Sequence, residues 1–284
     1  MDITDIREYD SLNMIGFLIR KNFFDLWDNL FRIALVNLGF IAITAFPVFV
    51  PQLFGTIPFL AMTALLIGIL LCFVYLSAAA LSLKNISDNG SFGFADFWAN
   101  LKTIWPVGLF AGGMVSLGII LVTVVIPFYL AMESLWGLML AAITFWSLVT
   151  AVLALQFFFA VRCRLDKSFT GSIKKCFLIF FDNPMFCIFV LIHNLFYLII
   201  SVPLALLLPG PAGILLFTDE GLRLRLLKYD WLEANPESVA EGHENQSSPP
   251  PAGKRKIPWD VILIDEKEKT GTRSLKNFIF PWKD

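Results

Sequence analysis

Few residues in this chain are of types that do chemistry, and they stand far apart. Asp219-Glu220 is a pair of adjacent carboxylates at the edge of an apolar run. Such a pair can be a buried functional site when it lies at membrane depth, but its commoner role is to mark the boundary with water, and that is the reading adopted here. His193 is the one ionisable residue well inside an apolar run, and it is followed by Asn194. The expectation for it is an interhelical hydrogen bond to a backbone carbonyl or to Asn194, with proton handling as the alternative. The cysteines are Cys72, Cys163, Cys176 and Cys187; none forms a CxxC pair. They read as small apolar filler in a reducing compartment rather than as metal ligands or a disulfide framework. His243 lies in a polar stretch and reads as solvated. A phosphate-binding P-loop pattern and the HExxH pattern are both missing. The sequence therefore points to no catalytic residue, no cofactor and no metal.

The elements that would position these residues are set by where charge is placed. Of the 284 residues, 57% are hydrophobic and 16% charged, and the mean hydropathy is +0.72. A soluble domain carries about 25% charged residues and spreads them over its surface. Here they crowd into the first part of the chain, two internal loops and the tail, leaving long runs almost uncharged. A charge at the centre of a bilayer costs at least ~2.5–3.5 kcal/mol, which accounts for the segregation. The lipid bilayer is thus the first partner implied. The net charge of −1 provides no basic field for nucleic acid.

The predicted architecture is all-α: a polytopic transmembrane bundle of five to six spans with interfacial amphipathic helices and a mostly disordered C-terminal tail. Residues 1–32 are read as an N-terminus with an interfacial helix, and 33–228 as the transmembrane domain. Residues 229–256 are read as a disordered linker and 257–284 as a Trp-containing tail motif. Spans are expected over Ile33–Phe54, Phe59–Leu83, Pro106–Leu130 and Leu135–Val161, with a fifth after Pro184. Pro47, Pro51 and Gly55 should end or kink the first, and Ser87–Ser91 carries an Asn-Gly turn. Gly112, Gly113 and Gly118 would let another helix approach closely.

Aromatic stripes at helical spacing precede three of these runs: Phe23, Phe24, Trp27 and Phe31; then Phe94, Phe97, Trp98, Leu101 and Trp105; then Ile173, Phe177, Phe180 and Phe181. They read as helices lying in the membrane interface and as one unit used three times, unless any helix leading into a span looks alike. The loop with Arg162, Arg164, Lys167, Lys174 and Lys175 should stay cytoplasmic and so orient the whole chain. The first ten residues are acidic, so no cleavable signal is expected, and the N-terminus is read as cytoplasmic.

The apolar run Phe186–Phe217 is long for one span and short for two, and Pro203, Pro209, Gly210 and Pro211 break it. Six crossings, the last one short, would leave the C-terminus cytoplasmic. Five with the tail outside would put Arg223, Arg225 and Lys228 on the wrong face. Beyond the polar linker lie two apolar clusters, each with Pro-Trp: one carrying Pro258 and Trp259, the other Phe278, Phe280, Pro281 and Trp282. Either they fold back on the same protein or they dock on another membrane or cytoplasmic protein.

Two stretches resemble the YesL-like family of bacterial integral membrane proteins. One runs from Ala78-Ala79-Ala80-Leu81 through Phe92-Gly93-Phe94-Ala95-Asp96-Phe97-Trp98-Ala99-Asn100-Leu101-Lys102. The other runs from Arg162 through Lys174-Lys175-Cys176-Phe177-Leu178-Ile179-Phe180-Phe181-Asp182-Asn183-Pro184. The resemblance covers about residues 25–228, and the tail from Glu233 has no counterpart in it. It implies the bacterial cytoplasmic membrane and an accessory role alongside carbohydrate ABC transport, with no catalytic residues to carry over. The function expected is a non-enzymatic accessory or scaffold subunit of a membrane complex. A small-solute permease is the alternative, and a membrane-embedded enzyme comes third.

Overall fold

The computed structural model describes residues 3–165, 167–235 and 258–270. Every regular element in them is helical. Helix α1 is Ile3–Asp28, α2 Leu30–Leu53, α3 Pro58–Ser87 and α4 Phe94–Ile120. A π-helical turn, Leu121–Val125, leads into α5, Ile126–Leu130. Pro127 has no N–H for the carbonyl four residues back, so the ladder loosens there. Then follow α6 (Leu135–Leu155), α7 (Phe158–Arg164), α8 (Phe169–Asp182), α9 (Pro184–Ser201) and α10 (Gly210–Ala234). Two short helices close the described chain, α11 (Trp259–Ile262) and α12 (Ile264–Thr270).

Five stretches are long and apolar enough to cross a bilayer: Leu30–Leu53, Pro58–Ser87, Phe94–Leu130, Leu135–Arg164 and Pro184–Ser201. The protein is an all-α, multi-pass integral membrane protein. Local chemistry sets where these helices begin. Pro58 and Pro184 occupy first-turn positions, where a missing N–H costs nothing. The Ser134 hydroxyl accepts from the Gly137 N–H at 3.1 Å, and the Asp96 carboxylate accepts from the Gly93 N–H at 2.8 Å. Asn89, in the expected Asn-Gly turn, adopts a left-handed φ of 60°.

The chain divides into two compact units. One runs from Asn29 to Asp219; the other joins the residues before Asn29 to those after Asp219. In that second unit the two ends share one set of buried ion pairs. Within the membrane unit α3 packs antiparallel to both α2 and α4. A Cβ on Gly108 would stand 2.3 Å from the Val74 Cα, so α3 and α4 touch backbone to backbone. Close approach thus uses Gly108 and Gly112, whereas Gly113 faces open space.

The aromatic stripes are only partly interfacial surfaces. Of the first stripe, only Phe24 is buried, beside Lys21 and Asn22 on α1, while Trp27 on α1 and Phe31 on α2 are exposed. The inward face of α1 is chosen by the buried Lys21 ion pair, which the aromatic spacing does not report. On α4, Phe97 is buried and Phe94, Trp98 and Trp105 are exposed. On α8 the buried residues are Ser172, Cys176 and Ile179, not the Ile173–Phe181 stripe. The expected second interfacial helix also merges with its span: Phe94 to Leu130 runs as one helical stretch.

Candidate functional site: a helix break clamped by Asn37

The run Phe186–Phe217 is interrupted where its prolines predict. Helix α9 ends at Ser201, and α10 begins at Gly210. Between them Ala205 and Leu206 take left-handed φ values of 50° and 62°, Leu208-Pro209 is cis, and Gly210 has φ 59°. Such a turn exposes backbone groups that helices would pair internally. In hydrocarbon these must find other partners.

Asn37 on α2 supplies them. Its Nδ2 donates to the Leu207 carbonyl at 2.9 Å and to the Pro209 carbonyl at 2.8 Å. Its Oδ1 accepts from the Ala212 N–H at 2.9 Å. Ser201 closes the other side, its hydroxyl accepting from the Gly210 N–H at 2.8 Å. A Cβ on Gly210 would overlap the Asn37 amide, so glycine serves both the positive φ and the contact. The partner of Asn37 is thus a turn 170 residues away.

The depth of this turn follows by counting. The Tyr75 hydroxyl on α3 donates to the Val36 carbonyl at 2.8 Å, which sets Asn37 level with Tyr75. From Tyr75 to Ser87 α3 rises about 18 Å, and from Tyr75 back to Pro58 about 25 Å. The turn therefore lies level with the middle part of α3, not beyond its far end. On the returning arm Gly210–Phe217 is about 12 Å of helix before polar residues begin, well short of a ~30 Å hydrocarbon core. A short sixth crossing is thus too short to span on its own. Helices α9 and α10 form a hairpin whose turn is held inside the bundle.

That hairpin carries His193 and Asn194. The Asn194 Nδ2 donates to the Thr218 hydroxyl at 3.2 Å. The expected hydrogen bond of His193 is absent; its buried Nδ1 has no partner among the described residues. Its ring instead lies on Phe217, centroids 3.6 Å apart and 11° from parallel, with Tyr197 at 4.3 Å. An imidazole stacked among aromatics is a packing element in this arrangement.

The Asp219-Glu220 pair is buried rather than a water boundary, and its members do not act together. Neighbours on a helix point about 100° apart. Arg164 binds Asp219 through Nε at 2.8 Å and through Nη2. The same guanidinium reaches Asp88 Oδ1 and the Ser87 hydroxyl, both at 2.9 Å. Lys84 Nζ donates to the Cys163 carbonyl at 3.3 Å. The bidentate fork explains why arginine occupies this position. It also fixes Asp219 at the Arg164 end of the bundle.

Glu220 belongs to the other unit and is fully buried. Burial, and next the Asp25 charge, hold its carboxyl well above the usual carboxylate range, against the lowering effect of Lys21. Lys21, also fully buried, pairs with Asp25 at 2.7 Å and lies 3.9 Å from Glu266; Arg223 binds Glu266 at 2.6 Å. Trp259, Leu263 and Glu266 of the tail are buried in this unit, and Pro258 is half-buried. Fold-back thus describes the first Pro-Trp cluster, and Trp259 is not an exposed anchor. Phe278, Phe280, Pro281 and Trp282 lie outside the described residues. No group of three or more metal-ligating side chains occurs among the described residues.

No family model, no curated protein and no solved structure matches the chain.

Proposed function

We propose that this membrane protein is a non-enzymatic accessory or scaffold subunit of a membrane complex in the bacterial cytoplasmic membrane. The observation that carries the reading is the unit built from both chain ends. Helix α1, the second half of α10 and the α11–α12 segment share the Lys21–Asp25 and Arg223–Glu266 ion pairs with their buried neighbours. Buried charges are costly, and they are better suited to fixing one arrangement than to adding stability. A unit so fixed, continuous in sequence with the membrane helices, is a platform for a partner. The residues left to engage that partner are Phe278, Phe280, Pro281 and Trp282. The resemblance to the YesL-like family supports a carbohydrate ABC-transport system as the setting, and the basic residues Arg223, Arg225 and Lys228 support cytoplasmic termini.

The test is purification of the tagged full chain in mild detergent beside a chain ending at Thr270 and a Phe278→Ala/Trp282→Ala variant. A membrane subunit held at fixed stoichiometry by the full chain, and lost from both variants, is the expected result. Identical complexes from all three chains would remove the reading.

A second reading has its own observation. The α9–α10 turn at mid-depth resembles the discontinuous helices that line transport paths. On this permease reading, solute flux into reconstituted vesicles would fall when Asn194 is replaced by alanine. Vesicles that show no protein-dependent flux of any sugar or small ion tried would leave the accessory reading in place.

A further inference from the structure

A groove of about 790 Å³ runs along the membrane unit, lined by α2, α3 and the start of α4. Its floor includes Val36, Phe97 and the Tyr75 ring, and its rim is formed by Phe31, Trp98 and Ala42. The lining is apolar along its length except at one end, which is lined by Arg32 and by Gly93 and Phe94 at the start of α4. From Arg32 to Phe46 the groove follows α2 for about 21 Å, more than the ~15 Å depth of one leaflet's hydrocarbon. It opens on faces that the spanning helices leave bare: Phe31, Phe94 and Trp98 are all more than half exposed. An apolar trough at that depth does not stay empty in a bilayer, and its polar end coincides with the headgroup level.

We infer that this groove is a phospholipid site, with one acyl chain lying along α2 and α3 and the phosphodiester held by Arg32 at its mouth. The charge at the mouth is complementary to a phosphate. One guanidinium N–H is used, donated to the Asn29 side chain at 2.9 Å, and a guanidinium has five. The start of α4, a helix of 27 residues, adds the positive end of its dipole at Gly93 and Phe94. The nearby Asp96 carboxylate is engaged by the Gly93 N–H at 2.8 Å, which offsets its repulsion of an anion. Trp98 at the rim suits the interface, where indole rings collect. The inference is independent of the accessory reading, since it needs only that α2, α3 and α4 lie in lipid.

The experiment is native mass spectrometry of the full chain released from detergent after equilibration with one lipid at a time. The lipids are phosphatidylglycerol, diacylglycerol with the same chains, and glycerol phosphate alone. One retained phosphatidylglycerol is expected, with retention of diacylglycerol lower by about fivefold, the weight of one arginine near a membrane surface. Glycerol phosphate alone should not be retained. Arg32→Gln should reduce phosphatidylglycerol retention to the diacylglycerol level. Ala42→Phe, at an exposed rim position, should reduce retention of both lipids by filling the trough. Equal retention of both lipids in the unaltered chain, or retention indifferent to Arg32→Gln, would overturn the proposal. So would glycerol phosphate binding as well as the whole lipid, which would mark an anion site without an acyl groove. Should Ala42→Phe fail to insert, the Arg32→Gln comparison decides alone.

Discussion

Replacing Asn37 with alanine should be the most damaging single change to an uncharged residue in the membrane unit. The alanine removes two donated bonds, to the carbonyls of Leu207 and Pro209, and one accepted from the Ala212 N–H. Side-chain hydrogen bonds between membrane helices average ~0.6 kcal/mol, which sets a floor of about 2 kcal/mol for three. That average applies where the abandoned partner finds another. Here the Leu207 carbonyl and the Ala212 N–H are left unpaired in an irregular turn at mid-depth, while the Pro209 carbonyl keeps the Gly213 N–H at 3.0 Å, and each buried unpaired group costs about 1–3 kcal/mol. The expected loss is therefore about 4 kcal/mol. Asn194→Ala removes one bond, to a hydroxyl that also donates to the Ile214 carbonyl at 2.8 Å, and should cost about 0.6 kcal/mol. Asn37→Asp keeps the acceptor for Ala212 but turns a carboxylate toward two carbonyls, and should be at least as harmful as alanine. The assay is equilibrium unfolding in mixed micelles titrated with denaturing detergent, with hydrogen exchange at the Ala212 amide as a local readout. If Asn37→Ala costs no more than Asn194→Ala, or Ala212 exchanges no faster, the clamp does not hold the turn.

The Arg164–Asp219 contact is a largely buried pair, so Arg164→Gln or Asp219→Asn alone should cost about 3–5 kcal/mol, with the double variant far from additive in a mutant cycle. Glu220 gives a pH dependence of definite sign. Its folded-state carboxyl binds a proton more tightly than its ordinary value near 4.5, so stability falls as pH rises above that value and through the raised one. Thermal unfolding between pH 5 and pH 9 should show this slope, and Glu220→Gln should flatten it and be more stable at the alkaline end; an unchanged slope would refute the assignment. Cys176 is buried and its thiol is pushed up to about 12 by that burial, so maleimide at pH 8 should modify it more than roughly a hundredfold slower than a cysteine placed at exposed Lys174.

The spans were readable from sequence because polarity separates water from lipid at low resolution. Predicted and observed ends differ by a few residues except at α4, where Pro106 sits inside a helix that continues on both sides. The break between α9 and α10 was readable from Pro203 to Pro211, since backbone chemistry is local. Which face of each helix is buried was not readable. In lipid both faces are apolar, so periodicity carries little signal, and α8 buries Ser172 and Cys176 instead of its phenylalanines. The ion pairs of the chain ends were hidden for another reason. Lys21 and Glu266 look like ordinary surface residues until the fold brings them within 3.9 Å of each other.

The amides inside the spans share a task that bears on function. Asn37 repairs the α9–α10 turn, and Gln156, at the step between α6 and α7, donates to the Leu153 carbonyl at 2.8 Å and the Cys187 carbonyl at 2.9 Å. Asn194 ties α9 to α10 through Thr218. An amide both donates and accepts without carrying charge, so it can pair broken backbone at depth without the cost that a carboxylate or ammonium would bring. A moving gate needs a turn that can exchange partners between two states of similar energy. The Asn37 clamp uses both polar atoms of its side chain on one state, and leaving it would strand the Leu207 carbonyl and the Ala212 N–H together. That asymmetry favours a fixed hairpin over a moving gate.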